Sequence, residues 1–360
     1  MDRLRSARRT NVHSARRLRR AALVLLLTAA GCSPAAARQV DSGQDARAAR
    51  ASDGPRTRRV LGYYDTALRR VVVVGGPEQL RGVPRRDRVW SWTGARWEAM
   101  SDSGPPRAGN AAVAYDPRRA MALFTGGARV AADDTTITIV GESWQGGTRG
   151  WHPMSGADIT ARDHHAMVFD EARQTLLLFS GLWGDRSDPW PNDTWALRPE
   201  GWVRVATEGP LGRGRMGLAY DARRRQVVLF GGAGAAPGPG QEQPFFGDTW
   251  VWEGTAWRKV AEGGPRGRYA HGMVYDERAG VVLMYSGAAA HRGAPLEDMW
   301  QWDGERWTEI SLTGPTPGHR YSPVMVYDRA RGVTALYGGS DDGLDAVWEW
   351  DGRGWKEIRM

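Results

Sequence analysis

The stretch Asp248 to Trp257, DTWVWEGTAW, decides the fold, because its two tryptophans seven residues apart recur along the chain. Six such pairs occur: Trp90/Trp97, Trp144/Trp151, Trp195/Trp202, Trp250/Trp257, Trp300/Trp307 and Trp348/Trp355. Two further landmarks keep the same time. An aromatic residue followed by aspartate stands at Tyr64-Asp65, Tyr115-Asp116, Phe169-Asp170, Tyr220-Asp221, Tyr275-Asp276 and Tyr327-Asp328, and eleven residues after each aromatic comes a Gly-Gly or Ser-Gly pair. The period from aromatic to aromatic is 51, 54, 51, 55 and 52 residues. A fixed period near this length means one continuous array, which overrides the two or three domains that 360 residues would otherwise suggest.

Each unit supplies four strand-like runs, clearest in the fifth: Gly272 to Tyr275, Val281 to Tyr285, Met299 to Trp302 and Trp307 to Ile310. They are rich in β-branched and aromatic residues and bounded by turn chemistry. The aspartate of each Tyr-Asp pair is expected to accept backbone N–H bonds in the first turn, and Asp303-Gly304 or Asp351-Gly352 to form the hairpin before the second tryptophan. Six units of four antiparallel strands predict an all-β, six-bladed β-propeller with the paired tryptophans in its core. The blades are placed at about 58–100, 107–154, 162–206, 213–261, 268–311 and 320–359. Because the first unit starts with its first strand and the last ends with its fourth, closure without a swapped strand is expected.

These motifs resemble the kelch family in the bacterial form R-x-x-x-H-x-M-x-YD, VVLFGG, DTW-x-WDG-x-x-W, over about Arg58 to Ile358. The second unit departs from it, with Glu142-Ser143-Trp144 for Asp-Thr-Trp and Gly146 where Trp92, Trp252, Trp302 and Trp350 stand elsewhere. Copper oxidases with kelch propellers use a tyrosine cross-linked to a cysteine. The one cysteine here is Cys32, outside the repeats, so the resemblance does not carry that chemistry.

The formal charge of +8 does not point to nucleic acid, because eight arginines against one aspartate in residues 1–31 account for all but one unit of it. That basic segment is followed by the apolar run Ala21 to Ala30, too short for a bilayer-spanning anchor. It reads as a signal peptide over 1–31. Small residues before Cys32 resemble a bacterial lipobox, which implies lipidation at Cys32 and an envelope-anchored protein, on the outer membrane's periplasmic side or at the cell surface. The alternative is cleavage after Ala37 and secretion. Residues 32–57 are too poor in apolar groups to bury a core and read as a tether, leaving 58–360 for the propeller, expected as a monomer with no disulfide, cofactor or metal.

Function is sought where length varies. The spacings within the first and third hairpins are constant, whereas the distance from the Gly/Ser-Gly pair to the first tryptophan is 15, 18, 15, 19, 14 and 10 residues. Binding residues sit disproportionately on variable loops held by a rigid scaffold. Sixteen of the eighteen tryptophans belong to the repeat; Trp183 and Trp190 do not, and both fall in a variable loop. Phe245-Phe246 lie in the longest one. These four aromatics are candidate anchors for a protein or a sugar face, with burial over a blade edge as the plain alternative. Arg162, Arg213, Arg268 and Arg320 recur seven residues before the repeat aromatic. They are candidates for the channel mouth, where an arginine fork suits a carboxylate, or else for ion pairs between blades. His165 and His271 share one repeat position and read as structural, and the carboxylates Glu297-Asp298 and Asp341-Asp342 are possible acid and base groups. The expected function is a non-enzymatic protein- or glycan-binding module. The kelch resemblance also implies an alternative, a periplasmic sugar-acting enzyme of sialic acid isomerase or mutarotase type, with Arg268 and Arg320 holding a sugar carboxylate.

Overall fold

The computed structural model describes residues 54–55, 60–75, 87–130, 136–147, 150–182, 190–236, 238, 241–290, 296–339 and 346–359. The chain divides into Met1–Gln44 and Asp45–Met360, and every described residue belongs to the second unit. The signal peptide, Cys32, nearly all of the tether and Trp183 therefore lie outside the described residues.

Six four-stranded antiparallel sheets form the blades of a β-propeller. Blade four carries the repeat in its regular form, with strands Gly217–Asp221, Gln226–Phe230, Thr249–Trp252 and Trp257–Ala261 from inside to outside. The innermost strands of successive blades touch one another, and Leu61–Asp65 of blade one touches Val324–Asp328 of blade six. Each sheet is built from its own unit alone, so the ring closes with no exchanged strand.

The turn after each inner strand follows from its aspartate. In blade one the Asp65 carboxylate accepts from the backbone N–H of Ala67 and Leu68 at 2.9 Å, and Asp116, Asp170, Asp221, Asp276 and Asp328 do the same for their own turns. Four residues on, the chain is left-handed in every blade. Glycine fills that position in blades five and six, at Gly280 and Gly332, whereas Arg69, Ala120, Gln174 and Arg225 adopt φ of 50–56° in the other four.

The core lies between blades. The second tryptophan of each pair is buried, and in four blades it packs on the aromatic that ends the second strand of the preceding blade, as Trp257 does on Phe179 (centroids 5.2 Å apart), Trp307 on Phe230 (5.1 Å), Trp355 on Tyr285 (5.4 Å) and Trp97 on Tyr337 (5.1 Å) across the closing seam. Trp92, Trp252, Trp302 and Trp350 tilt against these rings and are buried as well. The first tryptophan of the pair is buried as expected in blades one and six, at Trp90 and Trp348, and departs from the core expectation in the other four. Trp195, Trp250 and Trp300 are only half-buried, each donating its Nε1–H at 2.7 Å to the aspartate two residues earlier.

Blade two is irregular for a visible reason. A side chain on Gly146 would begin 2.1 Å from the Trp151 ring, so the indole occupies the place of the missing repeat tryptophan. Its loop between second and third strands adds a hairpin, Ala128–Val130 with Ile137–Ile139. At the other end of the body, Gly54 and Pro55 fall on the tether side of the composition boundary yet are packed. A Cβ on Gly54 would meet Trp97 at 2.5 Å, and the Tyr337 hydroxyl donates to the Pro55 carbonyl at 2.6 Å. The Gly-Pro step recurs at Gly209-Pro210 and Gly264-Pro265, where each glycine meets the next blade's second tryptophan in the same way. Gly54-Pro55 is thus the first copy of a repeat element.

Candidate functional site

The repeat arginines are inside the blades. Arg162 donates from both terminal nitrogens to the Asp193 carboxylate at 2.9 and 3.1 Å, to the Ser180 carbonyl at 3.0 Å and, from Nε, to the Thr160 carbonyl at 3.1 Å. Arg213 with Asp248, and Arg268 with Asp298, repeat the whole arrangement. Arg320 donates to the carbonyls of Pro317 and Gly338. All four are at most 4% exposed, so the expectation that they open onto the channel mouth gives way; Arg162, Arg213 and Arg268 form ion pairs, within a blade and not between blades as the alternative had it, and Arg320 is held by carbonyls. The physical reason is their register, which in blades three to five sets each fork against the aspartate two residues before the blade's own first tryptophan. Burial opposes ionisation of Asp248 and Asp298, but hydrogen bonds and charge from Arg213 and Arg268 outweigh it and hold both carboxyls below their ordinary range. Asp298 is thereby committed. Its neighbour Glu297 is exposed, 3.3 Å from His319 Nδ1, and Asp341-Asp342 lie outside the described residues.

The two phenylalanines of the long fourth-blade loop separate. Phe246 lies flat over the Arg213 guanidinium, 3.9 Å from its centre, and so caps a buried ion pair. Phe245 turns the other way and stacks on Tyr269 (centroids 5.0 Å apart, interplanar angle 13°), bordering a cavity of about 1110 Å³ on the variable-loop face. Trp190 borders the same cavity from the third-blade loop. It is half-buried, and its Nε1–H is sealed from solvent with no acceptor among the described residues. Between these aromatics sits Arg215, whose guanidinium lies 5.8 Å from the Tyr269 ring and 5.3 Å from the Tyr321 ring and donates to the Tyr321 hydroxyl. The structure therefore brings Trp190 and Phe245 to one site and assigns Phe246 to the scaffold.

Below this cavity the channel mouth, about 470 Å³, is ringed by one repeat position. Asn110, His164, Arg215, Ala270 and Ser322 all have φ of 56–58°, and each backbone N–H after the first donates to the preceding blade's carbonyl at 2.7–2.9 Å. Left-handed backbone at non-glycine residues costs roughly 1–2 kcal/mol each, and such strain concentrates at ligand-holding sites. His164 also sets Nδ1 3.0 Å from the Asp163 carboxylate. His165 and His271 are buried in the walls, their pKa values pushed down to about 3, by burial first and by the charges of Arg162 and Arg268 next. At the far end, Arg329 of blade six reaches Glu171 of blade three (2.6 Å) and Glu277 of blade five (2.5 Å).

Sequence reasoning missed Arg215, Tyr269 and Tyr321. They stand one or two positions after the repeat arginine, and the available signal was that this slot changes from blade to blade between two constant landmarks.

No family model and no curated protein matches the chain. Among solved structures 363 chains match, so the architecture is widely shared and does not by itself assign a function. One of them, titled "Structure of YjhT", aligns over 86% of this chain and 99% of its own with a TM-score of 0.64 at 11% identity. That likeness shows the fold, a β-propeller.

Proposed function

We propose that the protein is a kelch-type propeller, held at the bacterial cell envelope by lipidation of Cys32, that acts as a non-enzymatic binding module through its variable-loop face. The observation that carries this reading is the cavity on that face, where Trp190 and Phe245, the aromatics the repeat does not use, meet Tyr269, Tyr321 and Arg215. A large concave site with aromatic walls and a few convergent polar groups is the usual form of a ligand pocket. The paired, buried arginines fit the same reading, since they account for the scaffold and leave recognition to the loops.

The test is affinity capture from envelope fractions by the full chain and by a Trp190→Ala, Phe245→Ala variant. Capture that both proteins share equally, or that neither shows, rejects the reading. For the anchor, Cys32→Ser should move the protein out of the membrane fraction, and an unchanged fraction rejects lipidation.

The alternative, an enzyme acting on a sugar, draws support from His164 and Arg215 sharing the cavity. It would rest on those two residues rather than on Arg268 and Arg320. Turnover of a sugar followed by NMR, lost in His164→Ala, would decide for it.

A further inference from the structure

We infer that the cavity between Trp190 and Phe245 takes an uncharged oligosaccharide, an inference that rests on the reading of this face as the binding site. Phe245 has one ring face covered by Tyr269, yet its ring still borders the cavity, as a platform for the C–H face of a pyranose would. Trp190, from the neighbouring blade's loop, adds a second aromatic ring to the wall. The rim adds planar hydrogen-bonding groups in Gln241 and Gln243, which can donate to and accept from neighbouring hydroxyls at once.

The charge pattern is mixed and not that of an anion clamp. Arg215 lies against two tyrosine rings and gives one of its five N–H donors to the Tyr321 hydroxyl, which ties its cation to the aromatic wall. The remaining charged side chains of the rim, Glu242 and Arg266, have opposite signs. Size argues for a chain of sugars over a single one, because about 1110 Å³ exceeds the roughly 300–1,000 Å³ of pockets for small ligands. A protein partner would be expected to use a broad, flat surface of roughly 800 Å² rather than this bowl. The exposed large apolar residues among those described, Val130, Ile137, Val203 and Leu211, are divided between the blade-two hairpin and the outer strand and following crossing of blade three, and none lines the cavity.

The experiment is affinity electrophoresis of the detergent-solubilised full chain through gels containing dextran, xylan or mannan, with dextran sulfate as the anionic comparison. At least one neutral polysaccharide should retard the protein, with affinity falling roughly tenfold or more in Trp190→Ala and in Phe245→Ala, the scale of a lost aromatic anchor. Phe246→Leu, which changes only the cap on Arg213, should bind as the wild type does. Retardation by dextran sulfate alone, or neutral retardation that both alanine variants retain, overturns the inference. If no polysaccharide binds but an envelope protein is captured in a Trp190- and Phe245-dependent way, the sugar assignment falls and the binding reading survives. If nothing binds in either experiment, both fall.

Discussion

The indole Nε1–H of Trp257 donates to the hydroxyl of Thr194, in the preceding blade, over 2.8 Å. Trp307 does the same to Thr249 (2.9 Å) and Trp202 to Ser143 (3.2 Å), so the middle residue of the Asp-Thr-Trp motif serves the next blade rather than its own. Where that residue is Val89, Met299 or Val347, the following blade's Trp151, Trp355 or Trp97 has a buried Nε1–H with no acceptor among the described residues. Thr194→Val should therefore cost about 1–3 kcal/mol, the penalty of an orphaned buried donor. The near-isosteric Val89→Thr should instead gain up to about 1 kcal/mol by giving Trp151 its acceptor. Denaturant unfolding of the two variants reads both signs, and a destabilising Val89→Thr would contradict the pairing rule.

The tryptophans of one pair should differ in stability. Trp257 is 7% exposed and packed between blades, so Trp257→Ala is expected to cost about 3–5 kcal/mol. Trp250 is half-buried, holding the Asp248 carboxylate at one edge with Lys259 5.4 Å from its ring, and Trp250→Ala should cost less than half as much. Trp190→Ala should cost least, since Trp190 borders the cavity and fills no blade core. Equal losses for all three would refute this ordering.

Arg268 tests the scaffold role of the repeat arginines. Arg268→Ala strands Asp298 beside two half-satisfied carbonyls, and breaking such a pair typically costs about 3–5 kcal/mol. Arg268→Lys should recover little, because one ammonium cannot reproduce a fork that meets a carboxylate and two carbonyls together. Ligand affinity of the folded fraction should not change. A variant that folds with full stability but loses binding would return the arginine to the mouth.

The turn after each inner strand gives a prediction with an internal control. Ala120 holds φ of 50° where blades five and six have glycine, so Ala120→Gly should stabilise by roughly 1 kcal/mol and Gly280→Ala should destabilise by a similar amount.

Such contrasts explain how much was legible. The period, the blade count and the closure could be read because Asp221, Trp257 and their copies each do one backbone or interblade job in every blade. The arginines were visible for the same reason, and their fourfold register was the sign that they belong to the scaffold. The cavity was half legible. Trp190 stood out as a tryptophan the repeat does not need, but Arg215, Tyr269 and Tyr321 occupy a slot where the repeat accepts any residue. Left-handed backbone at Arg215, Ala270 or Ser322 cannot be read from residue type, whereas Asn110 and His164 are of types enriched there.

Acid should unfold the propeller in a window set by its histidines. His165 and His271 are neutral in the fold, with pKa values pushed down to about 3, whereas an unfolded histidine takes up its proton near 6.5. Between about pH 3 and 6.5 the unfolded chain binds more protons, so their stabilisation is complete above 6.5 and is lost as pH falls through that range. Asp248 and Asp298, held below the ordinary carboxylate range, add a further loss at the acid end. Asp87 works the other way. Burial, opposed by Arg107, raises it to about 6, so its ionised form weighs on the fold above that pH and the burden lifts on acidification. Blade four carries Met216 where His165 and His271 stand, which supplies the test. A His165→Met, His271→Met variant should show a flatter fall in unfolding free energy between pH 6.5 and 4 than the wild type. Superimposable acid limbs would mean that the two imidazoles do not set the acid limit.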